Sequence, residues 1–288
     1  MTETTGSLDR APAAPTARPL IIRPPGRLFD LGMRELWRSR AILLALARRS
    51  LMVRYRHRIL GAAWVLFQPL ALMVVFTLFF GLMARMPSDG LPYAVFVLTG
   101  LLAWGNVSKI LAEGSSSLAN NSVLITRVYF PRAYLPMAVV IASLIDILVD
   151  AVALVGLMLY HSILPTAAIV AVPFLLLIGV AAALGVTFVL ASLQAAYRDV
   201  ANFVPFLTQL WFFLTPIIYP SSIVPAEIRI YFWLNPMALV VEGLRWALAG
   251  TPAPPVEAWV IGSVMAFLIL AAGYLFFRRR EPTIADHL

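Results

Sequence analysis

The 288-residue chain is 61% hydrophobic and only 12% charged, which leaves no room for a soluble catalytic domain and is typical of an integral membrane protein. Its net charge of +8 does not indicate nucleic-acid binding, because the basic residues flank apolar segments, where anionic lipid headgroups attract them. With no cysteine and only three scattered histidines, the sequence predicts neither a disulfide framework nor a metal site.

The residues before the first long apolar run divide into a tail and an amphipathic helix. Residues 1–30 are rich in Pro, Ala, Thr and Arg, lack the apolar core of a secretory signal, and are predicted to form a mobile tail. Residues 31–58 are predicted to form a cytoplasmic interface helix, because arginines share one arc and apolar residues point away from it. The arginines of this arc are Arg34, Arg38, Arg48 and Arg49. The helix either anchors the chain at the membrane surface or also docks a cytoplasmic partner.

Continuous apolar runs predict an all-α membrane domain over residues 59–278, because a hydrocarbon core about 30 Å thick requires roughly 20 apolar residues per helix. The six predicted spans are Leu60–Met83, Leu91–Ala112, Leu135–Tyr160, Ala167–Leu193, Val200–Tyr219 and Val256–Phe277. All of the 22 basic residues except Arg85, Arg229 and Arg245 fall on one side of this topology. The preference of Lys and Arg for cytoplasmic loops therefore predicts that both termini, including a tail at 279–288, are cytoplasmic.

The loop between spans two and three is polar at its start and apolar further on. Its Ser and Asn residues are expected to cap a short helix that begins near Asn121, and Pro131 is expected to end it. This helix would expose Leu124, Ile125 and Val128 to water on the cytoplasmic side unless something covers them. We therefore expect a protein partner at this loop.

The third predicted span carries two acidic residues, Asp146 and Asp150, four residues apart and so on one helical face. Two ionised carboxylates would repel each other there, so at least one is expected to be neutral or partnered. No other span is predicted to supply an internal basic or histidine partner. Either the pair relays protons, as in a secondary transporter, or the carboxylates line a watery interface or bond to neighbouring helices.

Span five is expected to be kinked by Pro205 and Pro216, which remove backbone donors. Its aromatic residues are Phe203, Phe206, Trp211, Phe212, Phe213 and Tyr219. They either contact lipid and core or form a pathway wall on which flat rings stack against sugar C–H faces. Before the span, Arg198 and Asp199 are expected to act as a cap and interhelical latch, or as a substrate gate.

Two apolar pieces between spans five and six are each too short to cross a membrane and predict re-entrant or interfacial helices. They cover Ile228–Leu234 and Met237–Leu248 and are divided by Asn235-Pro236. Glu242 and Arg245 lie three residues apart on the second piece. They could pair with each other or bind the hydroxyl groups of a polymer.

Several short motifs occur together between Arg54 and Gly250. They are Arg54-Tyr55, Leu60-Gly61, Trp64, Pro69, Gly100-Leu-Leu-Ala-Trp104, Gly114, Leu118, Asn121, Leu124-Ile125, Phe130-Pro-Arg-Ala-Tyr-Leu-Pro136, Tyr197-Arg198-Asp199, Asn235-Pro236 and Arg245. In the order and spacing of these motifs the chain resembles the permease subunit of type-2 ABC exporters. Within that class it is most similar to the branch that exports polysaccharides and teichoic acids.

The resemblance implies partners and sites. A separate ATPase would bind ATP and Mg²⁺ and would receive the loop helix as a coupling helix, docking at Asn121, Leu124, Ile125, Arg127 and Val128. Periplasmic helices would gate the exit through Asn235, Pro236, Glu242 and Arg245. Two copies of the chain would form a path for a lipid-linked polysaccharide across the bacterial inner membrane. O-antigen, capsule and teichoic-acid-like polymers all fit this description.

The sequence offers no nucleotide site of its own. A phosphate-binding loop of the form G-x-x-x-x-G-K-[ST] needs a lysine, and the only lysine, Lys109, follows Ser108 near the end of an apolar run. We therefore expect a transport subunit with no cofactor and no enzymatic activity. Three alternatives stay open: an exporter of drugs or small lipids, a proton-coupled transporter that uses Asp146 and Asp150, and a membrane anchor or scaffold without transport.

Overall fold

The computed structural model describes residues 40–56, 62–128 and 130–287, and their regular structure is entirely helical. The predicted all-α fold is confirmed for these ranges. The helices are α1 (Arg40–Arg56), α2 (Ala62–Phe76, continued by a π-helical turn over Thr77–Met83), α3 (Tyr93–Ser115), α4 (Ser122–Arg127), α5 (Tyr134–Tyr160), α6 (Val172–Ala196), α7 (Val200–Leu214), α8 (Ala226–Phe232), α9 (Pro236–Ala249) and α10 (Val256–His287). The predicted tail, Arg34 and Arg38 lie outside the described residues.

Five segments are long and apolar enough to cross a membrane. They are Leu66–Met83, Tyr93–Ser115, Tyr134–Tyr160, Ala167–Ala196 and Val256–Ile284. The protein is therefore a multi-pass membrane protein. The fifth predicted span is wrong at its end, because α7 has 15 residues and stops at Leu214. At about 1.5 Å per residue such a helix is shorter than the hydrocarbon core.

The prediction that both prolines of this span kink one helix is wrong for Pro216. Pro205 lies inside α7, whereas Pro216 follows the end of the helix and so does not kink it. Pro216 belongs to a non-helical segment, Thr215–Pro220, that leads to a 3₁₀ turn at Ser221–Ile223. Beyond it, α8 and α9 are the two short helices predicted between spans five and six.

Helix α6 lies at the centre of the packing and contacts α3, α9 and α10. Its closest approach is to α10, where a methyl group added at Gly185 would lie 2.5 Å from the carbonyl oxygen of Ile269. Only glycine allows the two backbones to meet this closely. The main apolar core includes Trp104, Ile178 and Leu239.

The first and last helices of the described chain are α1 and α10, and each overlaps its predicted segment. Helix α1 packs against α5, with Leu43 and Leu46 facing an apolar cluster and the predicted arginines Arg48 and Arg49 exposed. Leu44 and Val53 of the same helix are exposed as well, and the role of α1 as an interface helix stays a prediction. At the other end, α10 continues to His287, whereas the predicted span ends at Phe277. The predicted C-terminal tail is therefore helical over its described residues.

Candidate functional site

The predicted docking helix is present as α4, which follows a 3₁₀ turn at Ala119–Asn121. Asn121 occupies the N-cap position, but its side chain makes no capping bond to α4. The side-chain amide of Asn121 instead donates to the carbonyl oxygen of Ser117 at 2.8 Å. The predicted cap was therefore wrong, and the amide stabilises the preceding turn. Helix α4 also ends at Arg127, before Pro131.

Helix α4 carries apolar residues on two faces, one buried against the rest of the protein and one exposed. Ile125 is only 8% exposed and packs in an apolar cluster with Leu118 and Phe277, so its side chain is unavailable for docking in this structure. Leu124 is half-buried against the same cluster. Val128 is 50% exposed, as expected, and Val123, which lies within the same predicted docking stretch, is 63% exposed. Arg127 is exposed. The docking role of these residues stays a prediction.

The end of α10 holds the loop that follows α4. The backbone N–H of Arg132 donates to Glu281 Oε1 at 3.0 Å, and the Arg132 guanidinium donates to the Glu281 carbonyl oxygen. The other carboxylate oxygen of Glu281 pairs with Arg278. The sequence reading missed Glu281, although one acidic residue after three arginines was a signal. Through these bonds α10 is tied directly to the loop that carries the docking helix.

A groove of about 580 Å³ lies between α2, α3 and α7. Its lining residues recur at intervals of four or so along each helix, so each helix presents one face to it. The lining consists of Gln68, Leu72, Phe76, Trp104, Ser108, Ala112, Val204, Pro205, Thr208, Gln209, Phe212 and Phe213. None of these described lining residues is charged.

Two groups of lining residues differ chemically, and we call them the aromatic tier and the polar tier. The aromatic tier consists of Phe76, Trp104, Phe212 and Phe213. Its rings contact one another, with centroids 6.2 Å apart for Phe76 and Phe212 and 6.0 Å apart for Trp104 and Phe212. The polar tier consists of Gln68, Ser108, Thr208 and Gln209. It lies toward the end of α3 that leads to the docking helix.

The predicted aromatic wall is divided by the fold. Phe212 lines the groove, and Trp211 packs behind it against Trp104 with ring centroids 5.7 Å apart. Phe203 and Phe206 are 49% and 62% exposed and lie outside the groove lining. Tyr219 is not on α7 at all, because the helix ends at Leu214. The structure therefore places these rings in different surroundings, and the choice between lipid or core contact and a pathway wall stays a prediction.

In the non-helical segment after α7, the backbone carbonyl oxygens find hydrogen-bond donors outside the helix. Every carbonyl of residues 211–218 accepts a hydrogen bond, although these groups have lost their partners within the helix. Asn235 contributes by donating to the carbonyl oxygen of Leu214 at 3.1 Å and to Thr215 Oγ1 at 3.0 Å. The side-chain oxygen Oδ1 of Asn235 accepts a hydrogen bond from Trp211 Nε1 at 2.9 Å. The same oxygen caps α9 by accepting the backbone N–H of Met237. Pro236 occupies the first turn of α9, where proline is favoured.

Arg245 is the second group that holds this segment. Its guanidinium is completely buried and donates to the carbonyl oxygens of Pro216 at 2.7 Å and Ile217 at 2.8 Å. It also donates to the carbonyl oxygen of Phe96 and lies 3.4 Å from the centroid of that ring. Because every face of the guanidinium is occupied by protein, Arg245 cannot reach a polymer hydroxyl in this structure.

Glu242 forms the ion pair with Arg245, at 3.3 Å from Arg245 Nη1. The same carboxylate oxygen accepts the backbone N–H of Ser221 at 3.0 Å. Burial raises the pKa of Glu242, and the positive charge of Arg245 opposes that rise. Of the two alternatives for this pair, the structure shows mutual pairing. The role of these residues and of Asn235 and Pro236 at an exit gate stays a prediction.

The two acidic residues of α5 both bond to α3. Lys109 Nζ lies 3.6 Å from Asp146 Oδ2, which corrects the expectation that no other span supplies a basic partner. The position of Lys109 near the end of an apolar run does not by itself predict this ion pair. Asn106 Nδ2 donates to Asp150 Oδ2 at 3.1 Å. The carboxylates therefore join two helices, and a proton relay stays a prediction.

Arg198 and Asp199 form the turn between α6 and α7, as their place in the sequence predicts. Both side chains are exposed, and neither makes a hydrogen bond or ion pair to another described residue. The latch and gate roles therefore stay predictions. Within the described ranges no cluster of three or more His, Asp and Glu side chains could hold a metal ion.

Several known proteins are similar to this chain in sequence. The family model for ABC-2 type transporters matches residues 42–249. The O-antigen export system permease protein RfbA of Myxococcus xanthus is 31% identical over 252 residues, which are 86% of this chain and 96% of that protein. Two proteins of the same name from Klebsiella pneumoniae are 27% and 24% identical, over 77% and 91% of this chain and 80% and 96% of their own lengths. The matched range extends from α1 to the end of α9, and this chain belongs to the ABC-2 type transporter family.

Proposed function

We propose that the chain is the permease subunit of an ATP-driven exporter that moves a lipid-linked polysaccharide of the O-antigen type across the bacterial inner membrane. The family membership supports transport, and the names of the relatives support the substrate. The groove between α2, α3 and α7 is the observation that carries the proposal. It combines aromatic rings, amides and hydroxyls without any charged lining residue among those described. Sugars are bound by this combination of stacking and neutral hydrogen bonds.

The energy source is a separate ATPase that binds ATP and Mg²⁺. Helix α4 is the proposed docking element, because Val123 and Val128 expose apolar surface next to the exposed Arg127. Apolar side chains in such a patch are stabilised by burial against a protein partner. The bonds of Glu281 to Arg132 give the docked helix a rigid connection to α10. The docking side is cytoplasmic in this proposal, as are both termini.

A second copy of the chain completes the path. No residue of Leu66–Met83 is buried within the described part of the chain, although this segment forms one wall of the groove. A groove that is open along α2 becomes a closed path when another copy covers it. In lipid the hydrophobic effect contributes little to the association of two apolar helices. Close van der Waals packing and hydrogen bonds between the helices stabilise such a contact instead.

Transport in reconstituted vesicles tests the proposal. The permease and its ATPase are incorporated together, and movement of lipid-linked polysaccharide is followed with ATP, without ATP, and with a protonophore. We expect movement only with ATP and no effect of the protonophore. Movement that persists without ATP and stops with the protonophore would contradict the proposal and favour the Asp146 and Asp150 alternative. Hydrolysis stimulated by a small lipid or drug, and not by polysaccharide, would favour the other exporter class.

A further inference from the structure

We infer that the polar tier is a hydrogen-bonding site for the hydroxyl groups of the transported polymer, with the amides of Gln68 and Gln209 as its main contacts. This inference rests on the proposed function, because it names what one group of the groove's lining residues binds. The aromatic tier supplies stacking surface. The polar tier supplies the directional contacts that distinguish a sugar from an acyl chain.

Gln68 and Gln209 are unusual for their positions. Gln68 is the one amide or hydroxyl side chain in the sequence of α2, and Gln209 lies near the middle of α7. Both side chains are exposed at the groove, and neither makes a hydrogen bond to another described residue. An amide held among apolar residues at membrane depth is costly unless it finds a partner. The groove therefore presents two amides that require a ligand, a water or a second protein surface.

The hydroxyls of the polar tier differ from each other in what they can still bind. Thr208 Oγ1 already donates to the carbonyl oxygen of Val204 at 2.8 Å, so only its lone pairs remain. Ser108 is half-buried and makes no hydrogen bond to a described residue, so it can donate and accept. Each glutamine amide adds two donor hydrogens and an acceptor oxygen. Neighbouring hydroxyls of a sugar ring offer the complementary mixture.

The chemistry of the lining selects a sugar over other membrane molecules. An acyl chain would leave both amides without hydrogen bonds. A phosphate headgroup would require a cation, and none of the described lining residues carries a positive charge. A neutral, hydroxyl-rich segment satisfies the polar tier and can also stack on Phe212 in the adjoining tier. The competing occupant is the same tier of a second copy, through amide contacts between Gln68 or Gln209 side chains.

The test compares shape-matched variants. The variants are Gln68→Met, Gln209→Met and the double variant. Methionine keeps the length of the side chain but removes the amide group that would bond to a sugar hydroxyl. Asn202→Leu is the control, because Asn202 is exposed on the same helix outside the groove lining. Each variant is purified with the ATPase, and hydrolysis is measured against increasing concentrations of lipid-linked polysaccharide. We expect the concentration for half-maximal stimulation to rise about tenfold in the double variant. Asn202→Leu should match the wild type.

Two results would overturn the inference. The first is a double variant whose half-maximal concentration equals that of the wild type. The second is found with Gln209→Cys, which is informative because the chain contains no cysteine. Disulfide linkage of two copies through position 209, together with fewer dimers and normal polysaccharide response in the Met variants, would assign the amides to the interface between copies. A wild-type complex that polysaccharide does not stimulate would instead defeat the proposed function itself.

Discussion

Replacing Arg245 by methionine tests whether this residue of α9 stabilises the non-helical segment that follows α7. The change removes donors from the carbonyl oxygens of Phe96, Pro216 and Ile217. It also leaves the carboxylate of Glu242 buried at 6% exposure without its cation. Removing one member of a buried ion pair costs about 3–5 kcal/mol, because the remaining charge loses its compensation. We expect Arg245→Met to destabilise the protein by an amount in this range.

The assay is equilibrium unfolding in detergent, followed by tryptophan fluorescence and by circular dichroism. Arg229→Met is the matched control, since that guanidinium also donates to a carbonyl oxygen, that of Val224, but is only part-buried and has no ion pair to a described acid. It should cost no more than about 1.5 kcal/mol. Adding Glu242→Gln to Arg245→Met should restore part of the stability, because the isolated buried charge disappears. An Arg245→Met protein within about 1 kcal/mol of the wild type would refute the reasoning.

Three further predictions concern coupling and the groove. Val123→Glu should weaken binding of the ATPase at least tenfold in a pull-down titration, since a charge replaces a 63% exposed apolar side chain; unchanged affinity would remove α4 as the docking element. Glu281→Ala should leave that affinity intact but lower export per ATP hydrolysed by at least half, because Arg132 loses its hold on α10; normal export per ATP would show that this connection is unimportant. Phe212→Ala should reduce the export rate severalfold while Phe213→Leu, which keeps apolar bulk, reduces it less; equal rates in both would argue against stacking as the function of the aromatic tier.

The long apolar helices could be predicted from sequence because length and hydropathy alone determine what crosses a membrane. The short helices between α7 and α10 were also predictable, since Asn235-Pro236 is a strong signal for a helix start. These features depend on neighbouring residues only.

The break after α7 could not be predicted from the same signals. The segment Pro216-Ile-Ile-Tyr219 is as apolar as the helix before it, so hydropathy continues without interruption. Pro216 ends the helix locally, because it lacks a backbone N–H and disfavours helical backbone at Thr215. The break becomes stable because distant groups satisfy the carbonyls that it frees. Arg245 lies 29 residues after Pro216, and Asn235 lies 21 residues after Leu214. A pattern within one span does not contain this information.

The missed contacts have the same cause. Lys109 lies on α3 and its partner Asp146 lies on α5, so only the packing of those helices shows that they meet. Glu281 lies in a charged C-terminal stretch with Pro282, a pattern that predicts a tail. Its bond to the backbone of Arg132 joins residues 149 apart in sequence. The polar tier, too, exists only because three separate helices face one groove.

The most direct test of the account is to ask whether the exported polymer passes through the groove. A photo-crosslinking amino acid at Leu72, which lines the groove, is compared with the same amino acid at Val152, which is 70% exposed on α5 outside it. Cells that make the polysaccharide and the ATPase are irradiated, and the purified permease is probed for attached sugar. The account predicts a sugar adduct at position 72 that requires an active ATPase, and none at position 152. Absence of the adduct at position 72, or equal adducts at both positions, would contradict it.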